Sequence, residues 1–400
     1  MKILLPITLL LSILATWALP AQALELSGDV SVEGRLFAKD APYDYQKRDN
    51  GSIAMEPEFY HEWPSTPSFS FTFVPFFRVD SADSERTHFD IRELNFLMVG
   101  NPWELRVGIG KVFWGVTEFV HLVDIINQTD QVENIEGEDK LGQPMVHLSY
   151  PGNWGVLDFF LLPYFREHTY PGREGRLRPP VKVDTDNPRY ESGARENHVD
   201  FAVRYSQAFG WGDMGIYYFR GTSRDPILLP SLDNKGEPVL LPFYDQIDQV
   251  GLDLQLVAGN WLWKLESLYR DETEDDFWAA TGGFEYTFVS IGDTMVDLGF
   301  ITEYSYDDRD DDATTPFQND LLFGLRLAVN DAASTELLAG FSVDLKESGH
   351  VLSVEASRRL TDNMKLSLEA WSFFDLEESQ TYLYSIRDDD FARLQLFYYF

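Results

Sequence analysis

The sequence predicts an all-β protein, a transmembrane antiparallel up-and-down β-barrel of about 18 strands, with 16 strands as the alternative. Three observations predict it. Segments of about ten to thirteen residues alternate between apolar and polar side chains, short turns alternate with long polar connections, and the chain ends on an apolar strand that finishes in phenylalanine. Beyond the first residues, no apolar run approaches the roughly 20 residues that a transmembrane helix needs. A chain of this kind would cross a membrane as strands.

The first 23 residues have the layout of a secretory signal peptide. Lys2 supplies a positive charge, residues 3–19 are almost wholly apolar, and Ala21-Gln22-Ala23 is a small-residue cleavage site. The alternative is an uncleaved inner-membrane anchor. We therefore expect residues 1–23 to be a signal peptide and residues 24–400 to form a single barrel domain.

Composition narrows the classes of partner and of site. Aromatic residues make up 15% of the chain, a share that suits the two interfacial girdles of a transmembrane barrel. The formal net charge of −34 excludes nucleic acid as a partner, because phosphate binding requires a basic face. The chain has no cysteine, so disulfides and thiolate metal sites are excluded as well.

The predicted strands show an alternation with a period of two. In residues 26–38 the even positions are apolar or small, and most odd positions are polar or charged. Such alternation puts the two sets of side chains on opposite faces of one strand. The pattern returns in residues 198–206, 249–256, 321–329 and 336–346. A water-soluble β-sandwich would also show this alternation, so the lengths of the connections are needed to distinguish the two folds.

Short turns and long polar connections follow one another along the chain. Bacterial outer-membrane barrels place short turns in the periplasm and long loops outside. With the last strand ending in the periplasm, an even number of strands requires one more strand around residues 52–62, which brings the total to about 18. The predicted short turns lie at residues 100–102, 151–153, 210–212, 259–260, 292–293, 330–334 and 361–363, and the long connections include residues 114–140, 167–195, 223–241, 307–315 and 377–388.

The last strand, residues 391–400, carries the most specific motif. An apolar face that ends in an aromatic residue resembles the signal that the barrel-assembly machinery reads in outer-membrane barrels. The resemblance implies that the chain resides in the cell outer membrane of a Gram-negative bacterium, surrounded by lipid and lipopolysaccharide. The residues of this face are Leu394, Leu396, Tyr398 and Phe400.

A second resemblance covers residues 92–130. Its parts are Arg92-Glu93-Leu94, the run 103–108, the run 111–115 and the run 124–130. This segment is similar to the strand–turn–strand–loop of porin-like proteobacterial barrels, including those related to alginate exporters. The alginate-exporter likeness implies an 18-stranded barrel that carries an anionic polysaccharide through a strongly basic lumen. A chain at −34 departs from that pattern.

Charged residues on the faces opposite the apolar ones are expected to line the lumen. An Arg or Lys facing lipid at the midplane would cost roughly 2–4 kcal/mol. Salt bridges that only keep the barrel round, and a field that selects solutes by charge, are both open functions for these residues. The predicted basic set is Arg92, Arg106, Arg204, Lys264, Arg326 and Arg393, and the acidic set is Glu104, Asp200, Asp253, Glu266, Asp344, Glu355 and Glu369.

The connection 114–140 is the candidate constriction of the channel. Its apolar positions have helical spacing, so a short amphipathic helix folded into the barrel would pack on the wall through Phe119, Leu122, Val123 and Ile126. The alternative is an external loop that lies on the rim. In the inward arrangement, the carboxylates presented to the channel are Glu118, Asp124, Asp130 and Glu133.

The remaining sequence features concern metal binding and catalysis. Clustered carboxylates such as Asp308, Asp310 and Asp312 have the oxygen ligands that Ca²⁺ prefers, although a solvated, repulsive loop explains them as well. No other cofactor is expected. The histidines stand in no motif of a serine hydrolase or a zinc protease, so we expect no enzyme.

The sequence therefore predicts an outer-membrane channel of the porin type, for passive diffusion of ions or small polar solutes, with cations or neutral solutes preferred. It would work alone or as a homo-oligomer. One alternative is an exporter channel for a polysaccharide that works with periplasmic partners. Another is a plugged structural or adhesive barrel that conducts nothing.

Overall fold

The computed structural model describes residues 24–272, 276–310 and 313–400. Eighteen antiparallel strands form one sheet. The sheet closes because the first strand, β1 (Glu25–Phe37), pairs with both β2 (Asp49–Trp63) and the last strand, β21 (Phe391–Tyr399). The predicted all-β class and the predicted 18 strands are confirmed, while the predicted signal peptide at residues 1–23 lies outside the described residues.

The remaining barrel strands follow one another around the wall in chain order. They are β3 (Ser68–Asp80), β4 (His88–Val99), β5 (Glu104–Gly110), β6 (Gln143–Gly152), β7 (Gly155–Leu162), β9 (Asp200–Phe209), β10 (Gly212–Thr222), β13 (Gln246–Ala258), β14 (Trp261–Asp271), β15 (Asp276–Phe288), β16 (Asp297–Asp307), β17 (Asn319–Ala328), β18 (Glu336–Asp344), β19 (His350–Thr361) and β20 (Met364–Phe374).

The connections differ in length at the two ends of the barrel. Eight connections of two to eight residues join strands at one end, and the nine at the other end include all of the connections longer than eight residues. The strand that closure required around residues 52–62 is β2, which reverses at residues 64–67. Among the long connections, residues 223–241 contain structure that the sequence did not predict. A hairpin of β11 (Ile227–Leu232) and β12 (Pro238–Tyr244) forms there and pairs with the short strand β8 (Arg189–Tyr190).

Among the residues that the structure describes, helical structure is confined to connections. One short α-helix, α1 (Thr381–Ser385), lies between β20 and β21, and single 3-10 turns occupy Arg195–Asn197 and Ile291–Asp293. Within the described ranges, none of the helices has both the length and the apolar character needed to cross a membrane.

Alternate side chains of each strand point to the lumen and to the outer wall. On β1, Val32 and Leu36 are 54% and 56% exposed, whereas Glu33 and Arg35 are only 3% and 7% exposed. The same contrast holds around the barrel, with large apolar residues exposed outside and charged residues buried inside. This polarity is the reverse of that in a water-soluble protein. It suits a wall that meets lipid on the outside and water within.

Strand register places the predicted lumen residues on the inward face. Arg393 of β21 is directly opposite Arg35 of β1 and Glu369 of β20. Arg92 is the extra residue of a β-bulge and also points inward, where it is buried. The other inward residues of the predicted sets are Arg106, Arg204, Lys264, Arg326, Glu104, Asp200, Asp253, Glu266, Asp344 and Glu355.

The terminal strand presents its apolar residues to the outside. Leu394, Tyr398 and Phe400 are exposed on the outer wall, and Leu396 between them is half-buried. The Phe400 amide donates to the Gly28 carbonyl oxygen at 3.0 Å, so the end of the chain is tied to β1. The geometry is compatible with an assembly signal, which stays a prediction.

Candidate constriction of the barrel lumen

The connection between β5 and β6, residues 111–142, contacts inward side chains of β3, β4, β14, β16 and β20. These strands lie on different sides of the barrel, so the connection lies within the lumen. Residues 112–126 are called the proximal lobe, and residues 129–138 the distal lobe. The two lobes lie against different parts of the wall.

The amphipathic helix predicted around residues 118–126 does not form, so that prediction is wrong. Residues 111–142, all of which are described, have irregular backbone with isolated bridges and turns. In a helix each amide donates to a carbonyl four residues earlier. Here side chains take the amides instead, and Asp124 Oδ1 accepts those of Trp114 and Gly115 at 2.6 and 3.0 Å.

The proximal lobe packs its apolar side chains on one side of the lumen. Val123, Ile125 and Ile126 are buried there, and the Trp114 ring lies 4.8 Å from that of Tyr217. Burying a large apolar side chain stabilises by about 1.5–3 kcal/mol. The apolar residues of this segment are therefore explained by packing on the wall and not by a helix. The wall contributes Met145, Phe160, Leu162, Ala202, Tyr217, Phe219 and Ile247.

Glu266 of β14 holds both ends of residues 116–123. Its Oε1 accepts hydrogen bonds from the amides of Val116 and Thr117, at 2.6 and 2.9 Å, and from the Thr117 hydroxyl at 2.6 Å. Its Oε2 accepts the amide of Val123 at 3.2 Å. The side chain is 0% exposed. Hydrogen bonds to a charged group contribute roughly 1.5–3 kcal/mol each, so Glu266 is a strong anchor.

Glu303 of β16 is the second anchor. Its two carboxylate oxygens accept the amides of Glu118 and Phe119 at 2.8 and 3.2 Å. The Phe119 ring then lies on two inward glycines, Gly324 and Gly340, where an added Cβ would come within 2.9 and 2.7 Å of ring atoms. Those glycines leave the space that the ring occupies. The tip of the proximal lobe is therefore fixed against β16, β17 and β18.

Glu118 is the acidic residue at this tip. Its Oε2 lies 2.5 Å from Arg326 Nη2 and 3.2 Å from Lys264 Nζ. Arg326 Nε also lies 3.4 Å from Glu285 Oε1, and its side chain is 39% exposed to the lumen. The tip thus presents a mixed cluster in which acidic and basic groups alternate.

The distal lobe is fixed by buried ion pairs. Glu133 Oε2 lies 2.6 Å from Arg78 Nη2, and Glu133 Oε1 lies 2.7 Å from His88 Nε2. Asp130 Oδ2 lies 2.6 Å from Arg92 Nη1. Both carboxylates are at most 4% exposed. They bind the distal lobe to β3 and β4 and are not presented to a solute.

A cluster of carboxylates lies where the two lobes approach the wall strands β19 and β20. The lobes meet where His121 Nε2 lies 3.5 Å from Glu138 Oε1. Basic side chains pair with three of these carboxylates: Arg326 and Lys264 with Glu118, Arg393 with Glu369, and His121 with Glu138. The five carboxylates of the cluster, which interact electrostatically with one another, are Glu118, Glu136, Glu138, Glu355 and Glu369. They are called the acidic gap.

Of the four carboxylates predicted to form the constriction, Glu118 alone borders the acidic gap. Asp124 accepts backbone amides within the proximal lobe. Asp130 and Glu133 form buried ion pairs with the wall. Sequence reasoning missed the run Glu136-Gly137-Glu138, because it followed a helical spacing that the structure does not have. The sequence feature that could have identified this run is the presence of two glutamates within the predicted connection.

The predicted basic residues are spread around the wall and are mostly paired. Arg204 and Asp253 form a two-bond ion pair, with contacts of 2.5 and 2.9 Å. Such pairing keeps the wall in register and also shapes the field in the lumen. The others that form ion pairs are Arg92, Lys264, Arg326 and Arg393, while Arg106 stands in register with His147.

The predicted calcium ligands lie on the connection between β16 and β17. Asp308 accepts the amide of Trp278 at 3.0 Å, and Asp310 pairs with Lys346 at 2.8 Å. Asp312 lies outside the described residues. In the described parts of the chain, no three His, Asp or Glu side chains are grouped to hold a metal ion. The calcium site stays a prediction.

Two groups of the connection have shifted protonation equilibria. Burial opposes the charged form of His121, but the carboxylates of Glu138 and Glu266 outweigh it and raise the pKa to about 10. Burial, together with repulsion from Glu369, Glu355 and Glu138, raises the pKa of Glu136 to about 9. Near neutral pH, His121 is therefore charged and Glu136 is neutral in the docked connection.

We expect alkaline solution to loosen the connection and to increase cation selectivity. Both pKa values lie above the ordinary values of 6.5 and 4.5, so the stability that these groups contribute is full below the ordinary values and is lost as the pH rises from 6.5 to about 10 for His121 and from 4.5 to about 9 for Glu136. Deprotonation removes the cation of His121 and adds a negative charge at Glu136. Reversal potentials recorded between pH 7 and pH 10 would show the shift. The Glu136→Gln variant should lose part of it, and an unchanged pH profile in that variant would contradict the assignment.

Comparisons with known proteins bear on the fold. Neither the protein-family models nor the curated protein sequences give a match. Among solved structures, the chain is similar to a BenF-like porin from Pseudomonas fluorescens Pf-5, with a TM-score of 0.52, 8% identity, and coverage of 94% of this chain and 98% of that one. It is also similar to a substituted variant of Rh. blastica porin, with a TM-score of 0.46, 12% identity, and coverage of 94% and 100%. At these identities the likeness concerns the fold alone.

Proposed function

We propose that the protein is a porin of the Gram-negative outer membrane, through which ions and small polar solutes diffuse passively, with cations preferred. The observation that carries the proposal is the acidic gap between the inward-folded connection and the wall. A water-filled passage lined by carboxylates concentrates cations and repels anions. The net charge of −34 acts in the same direction.

Residence in a membrane is supported by the outer wall of the barrel. Exposed Leu, Val, Phe, Tyr and Trp side chains cover it, and buried charges line the inside. In water such a surface would drive aggregation, whereas in a bilayer it meets lipid. The barrel-assembly machinery would read the terminal strand, and lipopolysaccharide would surround the end that carries the long connections.

The other functions are less well supported. An anionic polysaccharide would meet the acidic gap and would have to pass a lumen that residues 111–142 narrow. A plugged barrel would conduct nothing, and conductance separates it from a porin. We propose no enzymatic activity, because the sequence carries neither a nucleophile elbow nor a zinc-protease motif.

The test is single-channel recording of the purified protein in a planar lipid bilayer. Stable open steps with a reversal potential on the cation-selective side would support the proposal. A silent membrane would favour the plugged barrel or an exporter that waits for its partner. Open steps with anion selectivity would overturn the role given to the acidic gap.

We expect the Glu138→Gln variant to conduct with reduced cation selectivity. Its side chain is 59% exposed and its pair with His121 is open to water, so its charge still acts on passing ions. Asp40→Asn removes one carboxylate charge from an outer connection, where the side chain is 93% exposed, and serves as the matched control. The permeability ratio from reversal potentials should fall for Glu138→Gln and stay near the parent value for Asp40→Asn. Equal ratios in the two variants would contradict the assignment.

A further inference from the structure

The connection between β15 and β16 displays an apolar surface at the short-connection end of the barrel. It runs over residues 289–296, directly after Phe288. Val289, Ile291 and Met295 are 59%, 41% and 66% exposed, and Phe288 is 51% exposed. Single exposed apolar residues are normal on any protein. Several within one short connection form a patch that calls for a partner.

Other connections at this end have a different character. Those at Gly259-Asn260 and Asp362-Asn363 are two residues long and polar, which suffices to reverse an antiparallel pair. The connection 289–296 has eight residues, and several of them have large apolar side chains. Chain reversal alone explains neither its length nor its composition.

Hydrogen bonds hold this connection in one shape. The Ile291 amide donates to the Val296 carbonyl oxygen at 2.8 Å, and the Ser290 amide donates to Asp297 Oδ1 at 2.8 Å. From the neighbouring connection, Asn330 Nδ2 donates to the Met295 carbonyl oxygen at 2.8 Å. The apolar side chains are therefore presented on a braced backbone.

The braced backbone includes residues in an unfavourable conformation. Ser290 and Asp293 have φ angles of 55° and 62°, in the left-handed region that non-glycine residues adopt only at a cost. Strain of this kind persists where the surroundings over-determine the shape, which is common at functional positions. The shape of residues 289–296 is thus specified by its own bonds and by the adjacent connection.

The apolar surface of this connection continues the lipid-facing wall. Phe288 stands in register with Leu298 on the outer face of β15 and β16. The Tyr286 ring lies 4.8 Å from the Phe288 ring and 4.7 Å from the Trp261 ring. Aromatic residues of this kind mark the boundary between the lipid core and the headgroups. The connection follows this aromatic group without an intervening polar break on the outer face.

We propose that residues 289–296 are a membrane-interface anchor, in which Val289, Ile291 and Met295 insert between the headgroups and acyl chains of the leaflet at the short-connection end. The inference rests on the proposed function, because it requires the barrel to reside in a bilayer. Interfacial segments elsewhere bury their apolar side about 5–10 Å into this boundary. The anchor would fix the depth and the tilt of the barrel on this side.

The test uses single cysteine variants, which are clean because the chain has no cysteine. Ile291→Cys is labelled with an environment-sensitive thiol dye, and the protein is reconstituted in phosphatidylethanolamine–phosphatidylglycerol vesicles. Quenching by a spin label on the lipid chains is compared with quenching by aqueous iodide. Leu325→Cys on the outer face of β17 gives the lipid reference, and Asp362→Cys in a polar connection at the same end gives the water reference.

The expected result is that Ile291→Cys resembles Leu325→Cys, with strong quenching by the lipid label and weak quenching by iodide. If it resembles Asp362→Cys while Leu325→Cys behaves as lipid-facing, the anchor is refuted and the membrane barrel stands. If Leu325→Cys itself is quenched as in water, the proposed membrane residence fails, and the anchor fails with it. Protection of Ile291→Cys from both quenchers would assign the patch to a protein partner or to a second copy, and would also overturn the anchor.

Discussion

Replacing Glu133 by alanine should release the distal lobe from the wall and widen the passage. The carboxylate is 4% exposed and binds Arg78 and His88 at once. Removing one partner of a buried ion pair costs about 3–5 kcal/mol, because the remaining charge stays buried without compensation. The neighbouring pair of Arg86 and Glu33 stays in place but cannot replace the lost contact, since Glu33 already binds both Arg78 and Arg86. Single-channel conductance should rise, and the connection should become open to proteases.

The control for this variant is Glu138→Ala in the same connection. It removes the same atoms from a side chain that is 59% exposed, where an ion pair contributes about 0–1 kcal/mol. We expect its conductance to stay close to that of the parent protein. Protease cleavage within residues 111–142 should therefore be fast in Glu133→Ala and slow in Glu138→Ala. Equal cleavage rates would show that the buried pair does not hold the distal lobe.

The two variants also separate two roles of carboxylates in one connection. Burial opposes the charged form of Glu133, but His88, Arg78 and Arg86 hold its pKa well below the ordinary value of 4.5. Its contribution to docking is therefore present above that ordinary value and is lost as the solution becomes more acidic. Glu133 holds the distal lobe in position, whereas Glu138 contributes to the electrostatic field at the acidic gap.

The barrel could be predicted from the sequence because its rules are local. Alternation along 26–38 assigns Val32 to the outer wall and Glu33 to the lumen, and the structure shows that division. Strand β2 could be inferred from the requirement for an even number of strands, although its own pattern is weak. Both inferences use neighbours in the chain and a closure rule, so no distant contact had to be known.

The inward-folded connection could not be predicted in the same way. The amide of Thr117 binds Glu266, which stands 149 residues away, and the amide of Glu118 binds Glu303, which stands 185 residues away. The helical spacing of apolar residues such as Val123 predicts a helix. The wall provides a competing set of acceptors, and those acceptors decide the backbone.

The same limit applies to charge. The sequence shows an acidic chain and a set of inward arginines, but it does not show which carboxylate each arginine neutralises. Asp130 and Glu133 are bound by Arg92 and Arg78, so they leave the field of the passage. Glu138, which the sequence analysis did not single out, remains exposed to it. Selectivity therefore depends on the carboxylates that stay exposed in the lumen and not on those in buried ion pairs.

Replacing Glu266 and Glu303 together by glutamine is expected to free the proximal lobe, with a larger effect than either change alone. Each carboxylate gives its oxygens only to donors of residues 116–123. A glutamine has one acceptor oxygen, and its amide group would face backbone amides that also donate. Hydrogen bonds to a charged acceptor contribute roughly 1.5–3 kcal/mol each, so several such losses would outweigh the remaining contacts of the tip.

The predicted readout is a channel with higher conductance and frequent transitions between levels, while the barrel itself stays folded. Glu285→Gln is the matched control, because Glu285 is an inward glutamate of the same wall that pairs with Arg326 and not with the backbone of the connection. The two anchors bind adjacent peptide groups, so their effects are expected to be coupled. The change in conductance of the double variant should therefore exceed the sum of the changes in the two single variants. Unaltered conductance in the double variant would mean that apolar packing of Val123, Ile125 and Ile126 holds the lobe without help from the anchors. Since that packing fixes only one side of the lobe, the Phe119 tip on Gly324 and Gly340 should move first.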